Sequence, residues 1–281
     1  MSQAIIEVRD LSLSFSRKKV LAGLSFSLNQ GEWAVIAGRN GVGKSTLLRA
    51  LSGVLLPDAG SIVRGPDACP EKTGFISDRL SLFEDWTIGR AIAFHRRVFA
   101  IDDFDDRLLG RLGLKQKERI RDLSAGERAI LHLSLVLAQK PSLLLVDEVL
   151  HMLDPYIRDL FIEALIEAMA ERQAAVLTVN HTFGEIERLP ERVLVMDDGR
   201  FIIDESPEVL RVRMKKVVSR EPLPDVLPCF FSKGEGEYKE YFIYPFNEEL
   251  RTGMALDFQD IALPEIIKPL IGGGYEQKRM A

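Results

Sequence analysis

The sequence predicts an α/β fold built on a parallel core sheet, and three features carry that expectation. Residues 33–37, 143–146 and 174–179 are apolar at nearly every position, as strands buried on both faces of a parallel sheet are. Each run ends on residues unlike itself: Gly38, then Asp147-Glu148, then Asn180-His181. Ligands of open α/β sheets bind outside such carboxyl ends. Charged stretches with helical apolar spacing separate the runs. The expected architecture adds an N-terminal antiparallel β subdomain, a helical insertion in the core and a small C-terminal α+β extension.

Composition bounds the class. The chain has 281 residues, 46% hydrophobic and 28% charged, enough for one large α/β domain or two small ones. A net charge of −5 argues against a nucleic-acid partner. Cys69 and Cys229 stand far apart with no metal-ligand spacing, which suits buried thiols in a reducing compartment. The N-terminus does not resemble a signal peptide, and no apolar run approaches the roughly 18–20 residues that span a bilayer. The expectation is a cytoplasmic protein that needs another subunit to act at a membrane.

Along the chain, residues 4–37 read as strands. Ile5, Ile6 and Val8 precede alternating Leu11, Leu13 and Phe15, and a basic turn is expected at Arg17-Lys18-Lys19. Val20, Leu21 and alternating Leu24, Phe26 and Leu28 follow, up to a turn at Asn29-Gln30-Gly31. Leu47, Leu48, Ala50 and Leu51 have helical spacing, and Pro57-Asp58-Ala59-Gly60 is a turn before a short strand at Ser61-Ile62-Val63. Another strand ends at Ser77-Asp78. Residues 87–122 read as helical, through Ile88, Ala91, Ile92, Phe94 and Val98, then Leu108, Leu109, Leu112 and Leu114. They form the helical insertion, about residues 79–140. A further helix starts at Ser124 and runs to Lys140-Pro141. Residues 193–203 read as a β-hairpin around Asp197-Asp198-Gly199-Arg200. The first 210 residues are expected to form one domain and residues 211–281 an extension. In that extension, basic residues 211–220 with Pro222, Pro224 and Pro228 suggest a linker, residues 238–246 a strand and residues 261–271 a helix.

The chemistry is concentrated in Gly38-Arg39-Asn40-Gly41-Val42-Gly43-Lys44-Ser45-Thr46, which fits G-x-x-x-x-G-K-[ST] between a buried strand and a helix. In such a loop glycines let successive backbone N–H groups converge on phosphate oxygens, and the helix N-terminus adds its dipole. Lys44 is placed to reach the outer phosphates and Ser45 to ligate Mg²⁺. Acids at the end of a buried strand are costly unless they meet a cation, so Asp147 fits a metal ligand and Glu148 a base that orients water. His181 is expected at the same sheet edge, as a phosphate contact or as a structural histidine. Phe15 is a core aromatic or a face on which adenine stacks. Ser124-Ala125-Gly126-Glu127 reads locally as a capping box, and equally as a phosphate cradle.

In this order the set resembles the nucleotide-binding subunit of the ATP-binding cassette (ABC) transporter family, across about residues 4–210. Gly38–Thr46 is similar to its P-loop, and Leu123-Ser124-Ala125-Gly126-Glu127 to its LSGGQ signature. The acidic strand, the D-loop Met152-Leu153-Asp154 and the switch histidine His181 also match. The resemblance implies a Mg²⁺-dependent ATPase, peripheral on the inner face of the cell membrane, that powers transport, with export the expected direction, through a separate transmembrane subunit. It implies that two cassettes pair head to tail, so that Ser124, Ala125, Gly126 and Glu127 act in trans while Phe15 stacks on adenine. Departures stand out. Asp78 occupies the usual Q-loop glutamine position, where it is a candidate metal contact, and Val149 replaces a frequent proline. Residues 75–88 are similar to bacterial exporters. The alternative is a cassette that clamps nucleic acid or acts as a regulator. Neither a coiled-coil insertion nor a basic face supports the first, and Glu148 with His181 argues against the second.

Overall fold

The computed structural model describes residues 3–16, 18–65, 69–77, 83–180, 190–234, 237–251 and 256–272. Strands β1 (Ala4–Phe15) and β2 (Lys18–Asn29) form an antiparallel hairpin, with β4 (Ala59–Arg64) on the free side of β1. The main sheet has the order β5 (Thr73–Ser77), β6 (Leu143–Asp147), β7 (Ala175–Val179), β3 (Trp33–Ala37), β8 (Arg192–Asp197), β9 (Arg200–Glu205). Its neighbours are parallel throughout, except that β9 returns antiparallel to β8.

Alternation along β3 explains why that strand is apolar at every position. Ala34 and Ile36 face a core shared with β1, β2 and helix α1 (Lys44–Leu51), whereas Trp33, Val35 and Ala37 face the helices on the opposite side. Val35 and Ile36, fully buried, each contribute about 1.5–3 kcal/mol. Polar atoms in this layer are matched: Trp33 Nε1 donates to Thr178 Oγ1 at 3.3 Å. Arg192 fastens the two sheets, donating to Ser27 O at 2.7 Å and forking onto the Asp204 carboxylate at 2.5 and 2.6 Å.

The helical insertion enters between β5 and β6 as α2 (Ile88–Val98), α3 (Arg107–Arg111) and α4 (Ala125–Ala138); α5 (Pro155–Arg172) then leads to β7. The continuous helical reading of residues 87–122 is corrected here. After α2, Ala100 takes a positive φ of 50° and the acids at 102, 103, 105 and 106 favour turn geometry, so only the short α3 and a 3₁₀ turn at Ile120–Asp122 remain. Lys18 and Lys19 belong to β2 rather than to the turn.

The linker reading also fails. Residues 211–213 finish helix α6 (Pro207–Arg213) and residues 215–219 form β10 (Lys215–Ser219), leaving the prolines in a short loop before β11 (Cys229–Lys233). With β12 (Lys239–Ile243) these strands make a sheet ordered β10-β12-β11. Helix α7 (Leu263–Gly272) closes the described chain. Leu210, Phe231, Phe242, Ile266 and Ile267 share one buried core with Trp33, Val35 and Val193, so the extension covers the helical-side face of the main sheet.

Candidate nucleotide site

The site lies at the carboxyl end of β3. Gly38 has φ 150° and an added Cβ would come within 2.3 Å of Met196 O; Gly43 has φ 114° and faces Val20 O at 2.9 Å. Only glycine makes this loop without moving β2 and β8. Gly43 is also the N-cap of α1, which has no side-chain cap and no acid in its first turn. The positive end of the helix is therefore left open to an anion from outside the chain. Asn40 and Gly41 are exposed, Val42 packs on the antiparallel-sheet core, and Thr46 lies in the first turn of α1 with Lys44 and Ser45.

Lys44 is 4% exposed. Its Nζ donates to Gly38 O at 2.8 Å and Arg39 O at 2.9 Å, and lies 4.0 Å from Glu148 Oε1. Burial pushes its pKa down, against the pull of Glu148 and Asp147. The cation is thus held over the loop by backbone oxygens that a phosphate can replace. Ser45 Oγ donates to Asp147 Oδ1 at 3.0 Å, joining the first turn of α1 to the end of β6. Glu148 follows in the left-handed region at φ 54°, rare for a residue with a side chain, and its N–H donates to Val179 O at 3.1 Å. That bend turns its carboxylate toward Lys44.

Other expected residues fall into separate places. Phe15 ends β1, 48% exposed, opposite Lys18, and β2 runs from there to Val20, which backs Gly43. The core-aromatic reading is therefore wrong. Ser124 and Glu127 satisfy each other in a capping box, Glu127 Oε2 accepting from Ser124 N at 2.7 Å and Ser124 Oγ from Glu127 N at 3.2 Å. Ser124 and Ala125 are exposed, whereas Gly126 is buried against Ile157 of α5, whose Cδ1 a Cβ would meet at 2.6 Å. No hydrogen bond or ion pair among the described residues joins this segment to Lys44 or Ser45. Asp154 caps α5, accepting from Ile157 N at 3.1 Å. Asp78 and His181 lie outside the described residues.

One bracing residue went unread in the sequence. Arg158 donates to Leu150 O at 3.2 Å and Leu153 O at 2.8 Å, pinning the turn that follows Glu148. A single arginine early in a helix carries no distinguishing pattern.

A family model described as "ABC transporter" matches residues 21–151. The energy-coupling factor transporter ATP-binding protein EcfA1 of Streptococcus pyogenes serotype M5 (strain Manfredo) is 32% identical over 230 residues, 75% of this chain and 82% of that protein. This chain belongs to the ATP-binding subunits of ABC transporters. As a member of that family the cassette binds ATP and is an ATPase. Solved structures share its fold. An ATP-binding subunit of an ABC transporter aligns with TM-score 0.67 and 23% identity over 74% of this chain and 92% of its own. The cbiO1 protein of Clostridium perfringens, part of the ABC transporter complex cbiONQ, aligns with TM-score 0.62 and 24% identity, covering 73% and 89%.

Proposed function

We propose that this cassette hydrolyses Mg²⁺-ATP in a pair of ATP-binding subunits and so drives a separate membrane-spanning subunit, on the inner face of the membrane. The observation that carries this reading is the convergence of Lys44, Ser45, Asp147 and Glu148 at one sheet edge. The residues fit Mg²⁺: a hydroxyl and a carboxylate, both hard oxygen ligands, meet at 3.0 Å beside an uncapped helix N-terminus. Ser45 would ligate the ion and Asp147 would hold it directly or through water; the ion would shield phosphate charge. Lys44 binds the outer phosphates, and Glu148 orients the attacking water and accepts its proton.

Phe15 offers an exposed ring at the end of β1 for adenine. The capping box at Ser124 leaves the serine exposed at a helix N-terminus, suited to a phosphate presented by a second cassette. The domain reading is a cassette of residues 1–210 with a C-terminal extension packed on it. Among the described residues no helix is long and apolar enough to cross a membrane, which supports a separate spanning partner. EcfA1, the relative named above, is described as an energy-coupling factor transporter ATP-binding protein rather than an exporter subunit, so the expected export direction is not carried into this reading.

Equilibrium titration of Mg²⁺-ATP against the full chain and Lys44→Ala tests the assignment. Binding by the parent and its loss in the variant are expected; equal affinity in both would sink it.

A further inference from the structure

Residues 148–154 carry the chain from β6 to α5, and their backbone changes conformation at almost every step. Glu148 is left-handed at φ 54°, Val149 is helical and Leu150–Met152 make a 3₁₀ turn. Leu153 is then extended, and Asp154 caps α5. The turn's own bonds are modest: Met152 N donates to Val149 O at 3.1 Å and Leu153 N to Leu150 O at 3.3 Å. A residue with a side chain stays in the left-handed region only where its surroundings over-determine it.

Two anchors outside the turn supply that restraint. One is on β7, where Val179 O accepts from Glu148 N at 3.1 Å. The other is Arg158, in the first turn of α5. Its guanidinium forks onto both ends of the 3₁₀ turn, Nε donating to Leu150 O at 3.2 Å and Nη2 to Leu153 O at 2.8 Å. Leu150 and Leu153 are buried, so water is a poor substitute for these donors. A planar fork also fixes the spacing between two carbonyl oxygens, whereas a lysine ammonium is a single point charge.

The arginine itself stands on a fixed base. Arg158 N donates to Asp154 O at 2.9 Å, Asp154 Oδ1 accepts from Ile157 N at 3.1 Å, and Ile157 is buried against Gly126. A helix start braced in this way holds a side chain more precisely than a loop does. The fork acts on the Glu148 side of the site. On the phosphate side, Lys44 is held by Gly38 O and Arg39 O, and Ser45 by Asp147 Oδ1. On the reading of Glu148 as the group that orients the attacking water, we infer that Arg158 is its positioning residue. The fork onto Leu150 O and Leu153 O holds the Glu148 backbone in the conformation that turns its carboxylate toward Lys44.

The test compares the full chain with its Arg158→Met variant, which keeps an apolar stem and removes both donors. The kcat for ATP is expected to fall by about tenfold to a hundredfold, the cost of a slightly misplaced reacting group, while ATP affinity stays at the parent value. Arg158→Lys should recover part of the rate. Amide exchange at Glu148 N–H should speed up in Arg158→Met, with exchange in β3 and α1 unchanged as the check on folding. The deciding readout is the double variant: added to Glu148→Gln, Arg158→Met should slow the residual hydrolysis no further, because the carboxylate it positions has gone. Equal slowing in both backgrounds, an unchanged kcat, or full protection of Glu148 N–H in Arg158→Met would overturn the inference. If Arg158→Met does not fold, Arg158→Lys in the two backgrounds makes the same comparison. Failure of the base reading registers separately, as parent-rate hydrolysis by Glu148→Gln with Arg158 intact.

Discussion

Ser45 Oγ and Asp147 Oδ1 stand 3.0 Å apart across residues that are 102 positions apart in sequence, and this contact joins the helix that follows the glycine loop to the strand that carries the acids. On the proposed reading, removing the hydroxyl takes away one metal ligand and leaves the loop amides and Lys44 in place. Ser45→Ala should therefore weaken Mg²⁺-ATP affinity by about tenfold or more, equivalent to roughly 1.4 kcal/mol, with little effect on ATP measured in EDTA. Calorimetric titration in both buffers separates the two. Equal losses with and without Mg²⁺ would show that Ser45 serves the loop rather than the metal.

Gly126 tests whether a residue proposed to act in trans also has a duty inside its own chain. A Cβ at this position would meet Ile157 Cδ1 at 2.6 Å, on the packed face between α4 and α5. Gly126→Ala should cost up to about 1 kcal/mol of stability in the isolated cassette, because the close contact is with the end of a side chain that can turn aside and alanine is the better helix former. Ile157→Val removes the Cδ1 atom and should restore most of the loss. Thermal unfolding of the two single variants and the double variant measures the coupling, and an unchanged Tm in Gly126→Ala would remove the packing role.

How much of this was legible depends on whether the signal was local. The P-loop, the acidic strand and the two-faced β3 could be read directly, because glycine spacing and continuous apolar runs are properties of neighbouring residues. The capping box at Ser124 was equally local. Residues 211–220 misled because basic side chains and prolines describe a linker and a surface strand equally well. What makes β10 a strand is Val217 packing beneath Ile243 and Phe246, contacts made far along the chain. The exposure of Phe15 depends on which side chains remain uncovered, a property of the assembled fold.

His132 also sets an acid limit. Its pKa falls from 6.5 to about 4, with burial the larger cause and the charge of His95 the smaller. The unfolded chain therefore binds a proton more readily than the folded one between these values. Stability from this group is complete above pH 6.5 and is lost as pH drops toward 4, by at most about 3 kcal/mol. His95 and Glu71 line the same pocket as His132 and titrate beside it. Urea midpoints from pH 7.5 to 4.5 should fall more steeply for the parent than for His132→Phe; parallel curves would mean the ring is protonated at no cost.

Glu148 tests chemistry and assembly together. The residue sits at φ 54° with its carboxylate 4.0 Å from Lys44 Nζ, held by the bond from its own N–H to Val179 O. Glu148→Gln preserves shape and backbone anchoring and removes only the basic charge. If the carboxylate orients the water, hydrolysis should slow by about 10²–10⁴, the usual worth of a positioned base. ATP binding should survive, because Ser45 and the loop amides are untouched and Lys44 keeps its bonds to Gly38 O and Arg39 O until phosphate replaces them. ATP held between Lys44 of one subunit and Ser124 of another would then persist, and the variant should accumulate as an ATP-dependent dimer on size-exclusion chromatography. Losing a negative charge at the closed interface favours that state further. Adding Ser124→Arg should return it to monomer by placing bulk against the phosphate. Parent-rate hydrolysis by Glu148→Gln would remove Glu148 as the base, whereas slow hydrolysis by a chain that stays monomeric at high ATP would point to a different cassette as its obligate partner, a case that mixing with that second subunit would resolve.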